Sequence, residues 1–354
     1  MKELSEIENS PMYRWVYLVK EMAEDESLLN FNCDYYQFEL GKCYLFGIVL
    51  PQNYELALKW LNKAAEKNNA QAQRYLGICY AEGYGVERDI EKALNYFYTS
   101  AENGCTYALY SLGELYANGI GVEKDIEKAI CFFNMAAEKE STDAQYALGK
   151  IYVEGIDVEK DIEKAIYFFN MAAEKESTNA QYALGKIYAE GIGVEKDIEK
   201  AMYFFNMAAE KENTYAQYAL GNIYANGIGV EKDIEKAFEY FKMAAENGDA
   251  DAQYVVGAYY YDGVVGSQDY ESALKWFLKS VEQNNVNAQR ILGICYEYGT
   301  GVEKNIQRAI EWYSKAARQG DTDSDARLNN LLQFTVGDSS IFWMADTRKK
   351  LTND

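Results

Sequence analysis

The 354-residue chain contains no histidine, and this absence removes the side chain that most often serves as a general base or a metal ligand. Only two prolines occur, Pro11 and Pro51, so almost nothing interrupts helical stretches. No phosphate-binding Gly-x-x-x-x-Gly-Lys-Ser/Thr loop and no Gly-x-Ser-x-Gly nucleophile motif is present. We therefore expect a protein that is not an enzyme, with no catalytic residue, no metal and no cofactor.

The chain also lacks a long apolar run and an excess of cations. Its first residues include Glu3, Glu6 and Glu8 where a signal peptide would carry positive charge, so we expect a cytoplasmic protein. The formal net charge of −21 repels nucleic-acid phosphates and anionic lipids. We expect no nucleic-acid binding, no membrane insertion and a monomer. The acidity suits a basic protein partner, or serves solubility alone.

None of the six cysteines forms a C-x-x-C pair. Cys43, Cys79 and Cys295 occupy the same position in a repeated pattern, two residues after a glycine. Equivalent positions in different repeats lie too far apart to pair as a set. The cysteines are therefore expected to be reduced and to act as small buried hydrophobic residues.

What the chain does contain is a 36-residue period that never slips. A marker glycine recurs at Gly41, Gly77, Gly113, Gly149, Gly185, Gly221, Gly257 and Gly293. Three residues after each comes a tyrosine, from Tyr44 to Tyr296, and sixteen residues after each comes an alanine, from Ala57 to Ala309. A fixed period of this length indicates tandem structural units that stack on one another.

The unit around Gly149 predicts two helices. The first, Asp143 to Glu154, has an apolar stripe at helical spacing, with Ser141 or Thr142 as its N-cap and Gly155 as its end. Asp161 is expected to cap the second helix, and an Asp or Asn stands there in every unit. Phe168 and Phe169 are both expected to point inward, and loss of Phe168 is expected to cost about 3–5 kcal/mol.

Small residues such as Ala144, Gly149 and Ala165 allow paired helices to approach closely. Because a two-helix unit cannot bury its apolar stripe alone, neighbouring units must stack. The predicted fold is all-α: a right-handed α–α superhelix of eight 36-residue helix–turn–helix repeats with helical caps.

The pattern resembles the Sel1-like repeat family, a relative of the tetratricopeptide repeat. It is seen most plainly in AQAQRYLGICYAEGYGVERDIEKALNYFYTSA, residues 70–101, and extends over about residues 34–320. Val49, Asp157 and Val265 depart from the pattern by replacing its second loop glycine. The resemblance implies an adaptor that holds other proteins. A subgroup with disulfides inside each unit is not matched, which supports a reduced compartment.

The ends fall outside the period. Residues 1–33 are expected to form an N-terminal capping helix that begins at Ser10–Pro11, and residues 321–354 a C-terminal capping helix and tail. The tail contains Ile341, Phe342, Trp343 and Met344 in a row. These side chains either pack back on the last unit or form a docking or self-association segment.

By analogy with tetratricopeptide repeats, the partner-binding positions lie on the concave face at fixed offsets from the marker glycine: six and three residues before it, and one and four to five after it. They are Tyr107, Tyr110, Asp143, Tyr146, Lys150, Glu154, Asn179, Tyr182, Lys186, Glu190, Tyr215, Tyr218, Asn222 and Tyr254. Tyrosines with polar neighbours are typical of binding surfaces. The alternative is that the tyrosines pack between units and that the Lys–Glu pairs are ordinary i,i+4 pairs.

The predicted function is a non-catalytic scaffold or adaptor that holds a protein or peptide along this concave face. The alternative is an immunity-type inhibitor that binds and neutralises a basic toxin enzyme, which the acidic charge would favour.

Overall fold

The computed structural model describes residues 11–24 and 33–335, and it divides into two units, Met1–Ser177 and Thr178–Asp354. Within the described residues every regular element is an α-helix, so the predicted helical class is confirmed. The predictions for residues 1–10, and for the tail with Ile341–Met344, lie outside the described residues.

The first unit contains a leading helix and four helix pairs. The helices are α1 (Pro11–Glu24), α2 (Cys33–Phe46), α3 (Tyr54–Ala65), α4 (Ala70–Glu82), α5 (Ile90–Glu102), α6 (Thr106–Asn118), α7 (Ile126–Glu138), α8 (Thr142–Glu154) and α9 (Ile162–Glu174). Each helix packs on the next in the chain, and repeats one to four are the pairs α2/α3, α4/α5, α6/α7 and α8/α9.

The second unit contains four helix pairs and a final helix. The helices are α10 (Thr178–Glu190), α11 (Ile198–Ala209), α12 (Thr214–Asn226), α13 (Ile234–Glu246), α14 (Ala250–Asp262), α15 (Tyr270–Glu282), α16 (Val286–Tyr298), α17 (Ile306–Arg318) and α18 (Thr322–Thr335). Here too each helix packs on the next, and repeats five to eight are α10/α11, α12/α13, α14/α15 and α16/α17. In both units the helix pairs thus follow one another as in an α-solenoid.

The helix ends lie where the sequence places them. In repeat four, Ser141 Oγ accepts a hydrogen bond from the backbone N–H of Ala144 at 3.3 Å, and Gly155 ends α8 in the left-handed region with φ 63°. Asp161 accepts a bond from the N–H of Lys164 at 2.9 Å and caps α9. The same cap begins the second helix of all eight repeats. Local sequence therefore defines each helix.

The marker glycine lets the two helices of a repeat touch. A Cβ at Gly149 would lie 2.5 Å from Cδ1 of Phe169, so only glycine leaves room for that ring. Phe169 is 2% exposed, and Ala165 and Ala172 on the same helix are fully buried. This explains why the glycine and the second aromatic residue recur together.

Phe168 has different surroundings from those expected. It is half-buried, and its ring stacks on Tyr152 with centroids 6.0 Å apart and planes 3° apart. Lys164 Nζ lies 5.2 Å from the centre of the Tyr152 ring, which gives the recurring tyrosine a second, cationic neighbour. Phe168 points inward as predicted and packs against the core cluster of repeats three and four. It is only partly buried, whereas Phe169 is buried, so the predicted burial of Phe168 is wrong.

Helices outside the repeats cover both ends of the array. In α1, Val19 and Ala23 are buried against Leu40 and Trp60 of repeat one. In α18, Arg327 forms an ion pair with Glu297 of repeat eight at 3.3 Å. One end is therefore covered by apolar packing and the other includes charged contacts. In the described part of the chain, no helix is both long and apolar enough to cross a bilayer.

The cysteines are mostly buried as expected, with two exceptions, since Cys33 is only half-buried and Cys131 is exposed. Cys43, Cys79, Cys105 and Cys295 are buried, whereas Cys131 is exposed and its predicted burial is wrong. Burial raises the pKa of the Cys79 and Cys295 thiols to about 11, so they stay protonated and unreactive near neutral pH.

Candidate functional site

The fourteen predicted binding residues, called here the first-helix stripe, all lie on the first helices of repeats three to seven. None of them is buried. Eight are exposed: Tyr107, Asp143, Lys150, Glu154, Asn179, Lys186, Glu190 and Tyr215. Six are half-buried: Tyr110, Tyr146, Tyr182, Tyr218, Asn222 and Tyr254. The stripe therefore presents polar and aromatic groups outside the core.

The half-buried tyrosines pack against the core on one side and keep part of their surface exposed. Each ring contacts the buried phenylalanine on the second helix of its own repeat. The centroid distances are 5.6 Å for Tyr110–Phe133, 5.6 Å for Tyr146–Phe169, 5.7 Å for Tyr182–Phe205, 5.3 Å for Tyr218–Phe241 and 6.1 Å for Tyr254–Phe277. One side of each ring supports the core, while the remaining surface is accessible to a ligand.

The Tyr110 and Tyr218 hydroxyls of the stripe have raised pKa values and stay protonated at neutral pH. Burial raises the pKa of Tyr110 to about 12, and the nearby carboxylates of Glu114 and Asp143 contribute to this shift. Burial also raises the pKa of Tyr218. These hydroxyls are therefore hydrogen-bond donors as well as acceptors, and the field around Tyr110 is negative.

Repeats three and four enclose a groove of about 350 Å³ in the first unit. Its lining includes the stripe residues Tyr110, Tyr146, Lys150 and Glu154. The other lining residues are Glu114, Ala117, Asn118, Lys124, Ile126, Phe133, Ala147, Ile151 and Ile156. An apolar floor with a polar rim is the usual composition of a ligand pocket.

Sequence analysis missed one member of the surface. Arg74 occupies the position in repeat two that tyrosine takes in repeats three to seven. Its guanidinium lies 5.2 Å from the ring centres of both Tyr75 and Tyr107. The shared offset of three residues before the marker glycine would have identified it.

In the second unit the stripe also brings aromatic rings together. Tyr182 and Tyr215 have centroids 5.7 Å apart, and Tyr215 is 62% exposed. Lys186 Nζ lies 3.9 Å from a carboxylate oxygen of Glu190, a loose i,i+4 pair on one helix. These contacts are compatible with either alternative for the stripe, since both a binding surface and a solvated helix face carry them.

Among the described residues, no group of three or more His, Cys, Asp or Glu side chains lies close enough to hold a metal ion. The carboxylates that recur in every repeat are mainly helix caps, such as Asp125 and Asp161. Backbone hydrogen bonds from the first helical turn hold the pKa of both below the ordinary value. Their arrangement therefore stabilises helices.

The family model of the Sel1 repeat matches the chain eight times. The matched residues are 35–69, 70–105, 106–141, 142–177, 178–213, 214–249, 250–285 and 286–321. No curated protein matches the chain.

Solved structures give the same result. A Sel1 repeat protein from Oxalobacter formigenes is 30% identical, with 90% of each chain covered and a TM-score of 0.68. A protective antigen of uropathogenic Escherichia coli with an SLR fold is 31% identical, with 90% of this chain and 68% of that chain covered and a TM-score of 0.69. An immunity protein from Pseudomonas aeruginosa is 21% identical, with 62% of this chain and 82% of that chain covered, but its TM-score of 0.41 carries no functional argument. With eight consecutive matches and these structural relatives, the chain belongs to the Sel1 repeat family.

Proposed function

We propose that this protein is a non-catalytic scaffold that holds a partner protein or peptide along the first-helix stripe. Sel1 repeat proteins are generally protein-interaction scaffolds, and the eight repeats occupy most of this chain. The observation that carries the proposal is the groove between repeats three and four, because four residues chosen from their repeat position alone line it together. The exposed tyrosines Tyr107 and Tyr215 elsewhere on the stripe add the side chains that dominate many interfaces.

The test compares two pairs of exposed tyrosines. Tyr107 and Tyr215 lie on the first-helix stripe and are 52% and 62% exposed. Tyr167 and Tyr203 lie on second helices and are each 60% exposed, so they are matched controls. All four rings lie largely outside the core, and we expect both double alanine variants to keep the helical content of the parent protein.

The partner would first be captured from cells, identified by mass spectrometry and purified. We expect Tyr107→Ala with Tyr215→Ala to weaken its binding by roughly tenfold or more, and Tyr167→Ala with Tyr203→Ala to leave the dissociation constant unchanged. Equal affinity of both variants, or loss only in the control pair, would contradict the proposal.

An inhibitor of a basic toxin remains the second candidate, and the net charge of −21 favours it. The two candidates differ in what binding does to the partner. If the partner is a basic enzyme whose activity disappears at one equivalent of this protein, the inhibitor is supported. If the partner keeps its activity in the complex, the scaffold is supported.

A further inference from the structure

In most repeats, the loop that follows the first helix contains a second glycine, and this glycine lies against the second helix of the preceding repeat. A Cβ at Gly85 would lie 2.5 Å from Cβ of Tyr54, and one at Gly229 would lie 2.7 Å from Cβ of Ile198. Gly301 makes the same close approach to Tyr270. These loops can rest against the previous second helix only because the glycine has no side chain.

Repeat four departs from this arrangement. Asp157 stands at the glycine position. By the repeat spacing, the residue of repeat three that lies opposite it is Ile126. Asp157 adopts φ 61°, in the left-handed region. A Cβ at the equivalent Gly229 would lie 2.7 Å from Ile198, so the same placement of Asp157 would bring its Cβ against Ile126. Asp157 instead forms an ion pair with Lys124, with an Nζ–Oδ2 distance of 2.6 Å.

The loop shows this change in two ways. In repeats three and six, the residue after the helix-ending glycine donates a backbone hydrogen bond back to the helix, from Ile120 to Leu115 and from Ile228 to Ile223, each at 3.0 Å. Repeats one and seven, which carry Val49 and Val265 at the glycine position, keep this bond from Ile48 to Cys43 and from Val264 to Tyr259, whereas within the described residues Ile156 makes no corresponding bond.

The side chain that follows Gly155 is also more accessible than its counterparts. Ile156 is 58% exposed, compared with 40% for Ile120 and 38% for Ile228. The loop of repeat four therefore leaves apolar surface uncovered beside the groove, where Ile126, Ile151 and Ile156 all contribute to the lining.

The groove is lined by two glutamates and two lysines, and the carboxylates of Asp143 and Asp157 near it make its surroundings net negative. Glu114 and Glu154 line it, and Asp143 is close enough to influence the Tyr110 hydroxyl. Lys124 is already paired with Asp157, which leaves Lys150 as the cation facing these three carboxylates. A ligand group that fits must combine an apolar stem with a positive end, and lysine and arginine side chains have that form.

We propose that Asp157 opens a subsite between repeats three and four that takes a lysine or arginine side chain of the partner. The aliphatic stem lies on Ile126, Ile151 and Ile156, and the cationic end lies among Glu114, Glu154 and the tyrosine hydroxyls. This inference rests on the proposed scaffold function and assigns the specificity of one part of its surface.

Two substitutions at one position test the subsite without removing any lining side chain. Asp157→Gly restores the family residue, so the loop is expected to return onto Ile126 and to close the groove. Asp157→Asn keeps the Cβ and tolerates positive φ, so the groove is expected to stay open although the ion pair with Lys124 is lost. Both variants are compatible with the fold, since glycine occupies this position in other repeats.

The probes are two capped tripeptides, acetyl-Leu-Arg-Leu-amide and acetyl-Leu-Glu-Leu-amide, titrated into protein with labelled isoleucine methyl groups. We expect the arginine peptide to shift the resonances of Ile126, Ile151 and Ile156 in the parent protein and in Asp157→Asn, and to bind Asp157→Gly at least about tenfold more weakly. Equal binding to Asp157→Gly, stronger binding of the glutamate peptide, or shifts spread over all isoleucines would overturn the proposal.

A second arm separates this inference from the scaffold function. The captured partner is measured against Asp157→Gly and against the Tyr107→Ala, Tyr215→Ala variant. Loss of affinity in both supports the subsite. Loss only in the tyrosine variant rejects the subsite and leaves the scaffold function standing, whereas retention by the tyrosine variant rejects the scaffold surface itself.

Discussion

The two adjacent phenylalanines of repeat four, Phe168 and Phe169, differ in the extent to which their side chains are buried. Phe169 is 2% exposed and fills the space over Gly149, whereas Phe168 is half-buried against Tyr152. We expect Phe169→Ala to lower the free energy of unfolding by about 3–5 kcal/mol, because it leaves a cavity between the paired helices. Urea denaturation followed by circular dichroism measures this loss.

Phe168→Ala is the matched control, and its cost is expected to be clearly smaller because solvent already reaches part of that ring. Equal losses for the two variants would show that the stacking on Tyr152 matters as much as burial over the glycine.

A single carboxylate at the start of α18 makes the last helix sensitive to acid. Burial opposes ionisation of Asp321, but hydrogen bonds from Ser324 and the charge of Arg290 outweigh it, so its pKa is lowered. Arg290 Nη1 lies 2.6 Å from Asp321 Oδ1. A lowered pKa in the folded state contributes stability above the unfolded value of about 3.9, and this contribution is lost as pH falls through the folded value.

We therefore expect Asp321→Asn to lower the urea midpoint at pH 7 and to differ less from the parent protein at pH 3. The comparison removes the effect of the other carboxylates, which both proteins share. A midpoint difference that stays constant, or grows, between pH 7 and pH 3 would contradict the ionic role of Asp321.

At the scale of helices, a buried glutamine joins the two helices of repeats two, six, seven and eight. In repeat two, Asn103 at the end of α5 donates a hydrogen bond to Gln73 Oε1 on α4 at 2.9 Å. Asn247, Gln283 and Gln319 donate in the same way in repeats six to eight. Repeat four has Lys175 at this position, and among the described residues Gln145 Oε1 is buried without a hydrogen-bond partner.

Lys175→Asn is expected to supply the missing donor and to raise the free energy of unfolding by about 1 kcal/mol. It removes an exposed ion pair with Glu140, which contributes little in water. The reverse change, Asn103→Lys in repeat two, is expected to lower stability by about 1–3 kcal/mol by leaving Gln73 Oε1 unbonded. If the hydrogen bond between the two helices causes these effects, chemical denaturation will show changes in the free energy of unfolding of opposite sign for the two variants.

At the scale of the whole molecule, each repeat within a unit packs mainly on the repeats that precede and follow it in the sequence. Repeat two, residues 70–105, packs through α4 on α3 and through α5 on α6. Deletion of residues 70–105 preserves the period and places repeat three after repeat one. We expect a folded protein that loses helical signal in proportion to one repeat, measured by circular dichroism and gel filtration.

Deletion of residues 88–105 is the control, because it removes one helix of the pair and leaves an apolar stripe unmatched. Aggregation is expected for this variant. Aggregation of both variants, or proper folding of both, would contradict an array built from two-helix units.

The start and end of each helix could be predicted from the sequence, because the residues that determine them recur with the 36-residue period. Caps such as Asp161 and endings such as Gly155 act on their own helix, so local residues were sufficient to place them. The burial of Phe168 and Cys131 could not be predicted in this way, because it depends on which side chains of other helices cover them. None of the fourteen stripe residues is fully buried, although five of the tyrosines contact core phenylalanines, and their binding role stays a prediction.

The amino-acid sequence by itself determined the helices, their pairing and the repeat family, because glycine, small residues and caps recur at a fixed interval and act over short distances. Only the tertiary structure showed that Gln145 lacks the donor that its counterparts in repeats two, six, seven and eight have, and that Asp157 pairs with Lys124 at the lining of an open groove. Both depend on how a side chain fits against a helix outside its own. A single substitution in a repeated array changes such a fit without changing the pattern that specifies the fold.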